Sequence, residues 1–428
     1  MKNLTRILLL TAAAAICCLT AGAQNVTTPY SMYGYGILGD YATSMQRQMG
    51  GIGVAMNSGR QINVMNPASY AAIDSLTFLF DLGADVSMLW SKEGSAKERT
   101  TGGGLDYITM QFPICKYMGG SIGLLPWSSV GYAFGNEIRH GTRENQGTGG
   151  INQAYLGISG RYAGFSLGFN VSYNFGNITN DLYSNPDGSG RTLFEHVMQV
   201  RDWNILLGAQ YTARINKESH LTVGVTYSPK KTMLGKSWAT VQELSMETGP
   251  DTVGSMTLRK NYYQPDAVAV GVSYTYQRQY KLMIEADYTF QQWSKAKFSP
   301  LLSDPDPLNP DAKRQVVFDG MQFNNRYRLA LGGELIPRVR GNYGQRISYR
   351  LGGYFTHDYL RIRDNSVREY GVSCGVGLPT PEGKTMINVG LEWRHRQAYP
   401  AQLISENYFN VTVGVNFNEL WFWKRKIK

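Results

Sequence analysis

Charge is scarce in this sequence. Acidic and basic side chains make up 17% of its 428 residues, against about 25% in an ordinary soluble domain. Long apolar runs are missing too. Beyond Gln24 no stretch reaches the roughly twenty residues a membrane-crossing helix needs, and mean hydropathy is −0.29, so a helical membrane bundle is excluded. There are four cysteines, and the two beyond the N-terminal segment, Cys115 and Cys374, are no disulfide framework; they read as unpaired thiols on strands. His140, His196, His220, His357 and His395 show no metal-ligand spacing. No Ser/His/acid set declares itself and no phosphate-binding glycine loop leads into a helix, so neither an enzyme nor a cofactor is indicated. The positive balance is spread over loops and tail rather than gathered on one stripe, which argues against nucleic-acid binding.

In place of charge the chain carries 48 glycines and 28 tyrosines, with many Ser, Thr and Asn: the chemistry of strands and turns. The N-terminus reads as a cleaved export signal over residues 1–23. Lys2 and Arg6 precede a mostly apolar run from Ile7 to Leu19, and Ala21-Gly22-Ala23 supplies small residues at the cleavage positions. The residues ahead of Cys17 and Cys18 are not the usual small pair of a lipidation site.

Alternation with period two recurs after that. Phe165, Leu167, Phe169, Val171, Tyr173 and Phe175 alternate with Ser166, Gly168, Asn170, Ser172 and Asn174; near the end Phe409, Val411, Val413, Val415 and Phe417 do the same. Successive strand side chains face opposite ways, so one face is apolar and the other small or polar. Strands are expected near 76–90, 104–114, 120–135, 151–161, 164–177, 202–214, 220–229, 267–277, 281–293, 323–335, 346–357, 367–378, 384–396 and 407–418. Long polar loops over 91–103, 136–150, 178–201, 230–266 and 294–322 alternate with short turns. An even number of strands joined in this way predicts an all-β, 14-stranded antiparallel transmembrane barrel of an outer membrane. Trp90, Trp203, Trp293 and Trp393 fall near strand ends on the long-loop side, and Trp421 and Trp423 on the other, as two aromatic girdles. Residues 76–418 would form the barrel, and residues 419–428 an aromatic and basic tail anchored at the interface.

Residues 24–75 lack the alternation. They are read as a plug folded into the lumen, with a disordered arm as the competing reading. Within them Gly51-Ile52-Gly53-Val54-Ala55 is followed by Asn66-Pro67-Ala68. Proline fixes φ and lacks an N–H, and Asn can bond nearby backbone, so the second element is a rigid turn. In this position it resembles the hatch of the FadL/TodX family of outer-membrane transporters. That resemblance implies passive uptake of a fatty acid or aromatic hydrocarbon, with lateral release through a kinked third strand. Here that strand holds Gly123, Pro126 and Trp127; a mid-strand proline breaks a ladder, so these three mark either a lateral gate or a mere bulge.

By parity, charges gather on the lumen face: Glu285, Asp287, Arg326, Arg328, Glu334, Arg346, Arg350, Glu392 and Arg394. They read first as a satisfied ion-pair ladder, and otherwise as ligands for the plug or for a substrate carboxylate. Trp238, Tyr262, Tyr263 and Trp293 on the long loops would capture a hydrophobic ligand. Partners expected besides that ligand are outer-membrane lipid, the barrel-assembly machinery during insertion, and a protein at the outer loops. The alternative is a barrel of the PorV type, which shares the Gly-x-Gly-x-Ala and Asn-Pro-Ala start, binds proteins for type IX secretion or assembly, and transports nothing.

Overall fold

The computed structural model describes residues 28–138, 140–187, 190–245, 249–259, 262–296, 301–302, 316–318, 321–381 and 385–420. The expected export signal, Trp421, Trp423 and most of the basic tail lie outside these residues. Fourteen strands form one closed antiparallel barrel. They are β1 (Thr77–Glu93), β2 (Ala96–Cys115), β3 (Met118–Ile138), β4 (Gly141–Tyr162), β5 (Phe165–Pro186), β6 (Arg191–Arg214), β7 (Ser219–Ser228), β8 (Ala267–Gln277), β9 (Lys281–Gln291), β10 (Arg326–Ile336), β11 (Ser348–Ile362), β12 (Asn365–Pro379), β13 (Met386–Tyr399) and β14 (Ser405–Leu420). β14 closes on β1 from Thr77↔Leu420 to Lys92↔Ser405, which pairs the backbone that lipid would otherwise leave unsatisfied. Every expected strand is present. The alternation places Leu167, Leu207, Val272 and Leu331 outward and exposed, and buries Asn170, Gln210 and Ser273 inside.

Several strands outrun the expectation. Residues 96–103, 136–138, 141–150, 178–186 and 191–201, read as loop, are strand. The segment 230–266 contains a hairpin, Gly235–Ser245 with Gly249–Arg259, which continues the wall of β6 from Gly235↔Val200 to Leu244↔Arg191. Above the membrane both faces of a strand meet water, so the alternation that reveals a strand is absent there. Trp90, Trp203 and Trp393 are exposed at 41%, 59% and 43%, but Trp293 is buried. β9 stops at Gln291, and Trp293 opens a short 3-10 helix that turns its ring inward. Arg346 is likewise off its expected strand, at the end of the 3-10 turn Tyr343–Arg346 closed by a capping box of Asn342 and Gln345. Cys115 and Cys374 are free and exposed.

The N-terminal segment fills the lumen, and glycines make room for it. Five pairs of glycines face each other across neighbouring strands: Gly83↔Gly414, Gly375↔Gly390, Gly332↔Gly352, Gly224↔Gly271 and Gly168↔Gly208. A side chain at these sites would collide in turn with Ser44, Gln48, Met49, Val54 and Pro67. The plug therefore winds round the lumen against the strand order, from the β1–β14 seam through β12 and β10 to β5 and β6. Its next contact is the Tyr70 carbonyl, which lies against Gly119 of β3.

Candidate functional site

The two sequence motifs of the plug are bonded to each other and to the wall. Pro67 opens a 3-10 helix, Pro67–Ala72, and the Asn66 side chain caps it by accepting from the Ala68 N–H at 3.1 Å. The Asn66 amide donates to the Val54 carbonyl at 2.7 Å and to Ala209 of β6 at 3.3 Å. Gly50 and Gly51, at φ of +72° and +73°, turn the chain so that three successive N–H groups face β9. There Asp287 accepts from Gly53 and Val54 at 2.7 and 3.0 Å, and Glu285 accepts from Ala55 at 2.8 Å.

The other lumenal charges divide between plug and wall. Arg326 reaches Asp40 of the plug at 2.7 Å; Arg328 pairs with the same carboxylate and donates to the Gly50 carbonyl at 2.9 Å. Burial raises the Asp40 carboxyl, but Arg328 and Arg326 outweigh it and hold that group well below the usual carboxylate range. Arg350 joins Glu334 at 2.8 Å, the Gln48 side chain at 2.9 Å and Asn388 at 2.7 Å, and Lys281 also reaches Glu334 at 2.8 Å. Glu392 and Arg394 form no direct salt bridge among the described residues; their charged neighbours are Glu369, which acts with Glu392 on Arg394, and Arg47, which Glu392 faces. Asp40 and Gln48 were not singled out from sequence, because one isolated side chain in an irregular segment has no periodicity to mark it.

The third strand parts from the second. β2 and β3 are paired only from Cys115↔Met118 to Ile108↔Leu124. Beyond that rung β2 continues along β1 as far as Glu93↔Ala96, and β3 continues along β4 as far as Ile138↔Gly141. Gly123 sits just below the split, still paired to Thr109 and Tyr155. Pro126 sits just above it, and Trp127 is the extra residue of a bulge between Pro126 and Ser128. The plug takes β2's place on β3: Ile37↔Ser129 and Leu38↔Ser128 form a short ladder, and the Gly39 N–H donates to the Trp127 carbonyl at 2.8 Å.

The expected capture residues are mostly not open surface. Tyr262 and Trp293 are buried at 4% and 1% in an aromatic cluster over the plug. Tyr35 is its hub, edge-on to Trp127 at 5.1 Å, with Trp293 at 5.8 Å. Tyr263 and Trp238 are half-buried; Tyr263 exchanges backbone hydrogen bonds with the Tyr35 hydroxyl. Aromatic bulk that read as a ligand surface instead packs against the plug, because burying it there removes apolar area from water.

Behind the split lies a cavity of about 430 Å³. Gly103, Gly104 and Asp106 of β2 and Pro126 and Ser128 of β3 line it on the wall side; Arg47, Asp85, Arg328, Glu392 and Arg394 line it inside. A second cavity of about 120 Å³ lies between Asp40, Asp287 and Trp293. The larger space is therefore charged, and Arg47 spans part of it to Asp106 at 2.9 Å.

A family model described as BamG matches residues 4–428. The chain belongs to the BamG family. The expected resemblance to the FadL/TodX transporters holds for the fold of this BamG-family chain. It is similar to the Ralstonia pickettii toluene transporter TbuX (14% identity, TM-score 0.61, covering 88% of this chain and 98% of that one). It is also similar to the P. putida toluene transporter TodX (13%, 0.61, 89% and 98%) and to a Pseudomonas aeruginosa FadL homologue (11%, 0.60, 90% and 100%). No curated protein matches the chain. This BamG-family protein is thus an outer-membrane β-barrel with a FadL-like fold.

Proposed function

We infer that this barrel is an accessory component of the machinery that assembles outer-membrane barrels, and that it binds protein partners rather than passing a solute. The observation that carries this reading is the plug. Five glycine pairs admit its backbone, and Asp287, Glu285, Arg326, Arg328 and Arg350 hold it by hydrogen bonds and ion pairs. A route through the lumen would require breaking many of these buried bonds together, at about 1–3 kcal/mol each. The family description, BamG, points to the same machinery. Above the membrane, β3 to β6 and the hairpin Gly235–Arg259 form a projecting sheet whose last strand, Gly249–Arg259, pairs among the described residues on one side only, with Gly235–Ser245. Such an edge accepts a strand from another chain. No cofactor enters this role.

Passive uptake of a hydrophobic compound, with lateral release, is the second reading. The split between β2 and β3 favours it, as does the likeness in fold to toluene transporters. The charged lining of the cavity behind the split weighs against it, since an apolar ligand gains nothing from such walls. Native mass spectrometry after gentle extraction from the protein's own membrane separates the two. A stoichiometric assembly-machinery barrel without a small adduct is the expected result. A hydrophobic adduct of a few hundred daltons (an order-of-magnitude figure for such pockets) with no protein companion would replace the assembly reading with uptake.

A further inference from the structure

Glu392 and Arg394 stand two residues apart on β13 and both line the cavity behind the split. Glu392 accepts hydrogen bonds from the Tyr354 hydroxyl at 2.7 Å and the Asn410 amide at 3.1 Å, both neutral groups. The Arg394 guanidinium lies over the Tyr408 ring, 4.0 Å from its centroid, and its Nε is buried without a hydrogen-bond partner. Three other lumenal arginines are matched directly: Arg47 with Asp106, Arg326 with Asp40, Arg350 with Glu334. The neighbouring charges Glu369 and Arg47 act on Arg394 and Glu392 without bonding to them, and a buried guanidinium N–H left without an acceptor is costly. Two residues along a strand are about 7 Å apart at the backbone, and both side chains are long enough to converge on a smaller ligand that bears both signs.

The wall is open at the same height. Gly102 of β2 is opposite Ser87 of β1, Ser87 is opposite Asn410 of β14, and Asn410 is opposite Glu392. Gly102-Gly103-Gly104 place no side chain across the opening, and their strand makes no ladder with β3 there. Backbone groups at membrane depth are tolerated unpaired only where they line a polar space. The depth is also readable: Trp393, between the two charged residues, points outward at 43% exposure, and Trp90 at 41% is three positions beyond Ser87 on β1. Exposed tryptophans of this kind lie at the level of lipid headgroups.

We propose that the split between β2 and β3 admits the phosphoethanolamine headgroup of a membrane lipid, its phosphate on Arg394 and its ammonium on Glu392, while the acyl chains stay in the bilayer. The proposal goes beyond the assembly reading and does not depend on it. Two sources carry this chemistry: phosphatidylethanolamine, and lipid A modified with phosphoethanolamine.

The full-length protein in detergent, offered each of these and phosphatidylglycerol, tests it by native mass spectrometry. One ethanolamine-bearing lipid per chain is expected, retained about tenfold over phosphatidylglycerol, which is the equivalent of one charge-assisted hydrogen bond. Which of the two is retained names the source. Arg394→Gln and Glu392→Gln should each lower retention about tenfold, and Arg191→Gln, at the exposed outer sheet, should not. Equal retention of phosphatidylglycerol, or undiminished retention in both variants, would overturn the proposal. Should either variant fail to assemble, a photoactivatable phosphatidylethanolamine and a matching lipid A probe on the wild-type protein give the answer. Labelling concentrated on residues 96–107 supports the site, and labelling spread evenly over the lipid-facing surface refutes it.

Discussion

The Asn66 side chain donates to the Val54 carbonyl at 2.7 Å, so the two motifs of the plug, separated in sequence, form one unit. The same amide reaches Ala209 on β6, and its oxygen caps the turn at Ala68. Gln210 adds a second donor to Val54, at 3.0 Å.

Asn66→Ala removes three hydrogen bonds at a fully buried position. Because Gln210 still serves Val54, the expected cost is about 2 kcal/mol rather than three full bonds. Hydrogen–deuterium exchange should accelerate over residues 49–70 while the barrel strands stay protected. Unchanged exchange there would remove Asn66 from its anchoring role.

Gly332→Val places a branched side chain against the Met49 carbonyl. No rotamer relieves the collision, since the Cβ itself meets backbone. The barrel should still assemble and migrate as a folded species in unheated electrophoresis, with residues 28–73 newly open to protease. The same change at Gly254, which has open space around it, serves as the comparison and should leave the plug protected.

Asp40 sets how the plug responds to acid. Its folded pKa is depressed, so its stabilising contribution is fully present above the ordinary aspartate value of about 3.9 and is lost as pH falls through the lower folded value. This group alone should therefore keep residues 36–50 docked between about pH 5 and 8. Asp40→Asn leaves Arg326 and Arg328, with side chains 8% and 9% exposed, without their counter-charge. The expected loss is roughly 3 kcal/mol, the low end for breaking a buried pair, because the Asp40 side chain itself is 30% exposed. Exchange rates over 36–50 in the variant should rise at neutral pH.

Cysteine pairs map the split directly. With Cys115 and Cys374 changed to serine, cysteines at Ile108 and Leu124, the last paired rung, should crosslink under mild oxidation. Those at Gly104 and Ser128 should not. Adding Pro126→Val tests whether the missing N–H causes the separation: crosslinking of the upper pair would establish it, and its absence would assign the split to the plug strand Ile37–Leu38, which already occupies that side of β3.

The amino-acid order by itself determined the barrel. Lipid demands an unbroken apolar face, and that demand is written as period-two alternation through each membrane-crossing stretch, so all fourteen strands were legible with their short turns. The Asn66-Pro67-Ala68 turn was legible for a local reason, proline's missing N–H and asparagine's short amide. The tall extensions of β2 to β6 were not, because a strand wet on both faces carries no alternation. Tertiary structure alone decided the rest. Five glycine pairs become a belt only when strands far apart in sequence align their rungs against one winding segment, and no single strand records that its glycine faces another. Trp293 and Tyr262 read as surface until packing against Tyr35 made them interior. The split beside Pro126 depends on where a third party, the plug, takes up β3's hydrogen bonds, and that Glu392 and Arg394 share one cavity behind it is visible only in the closed barrel.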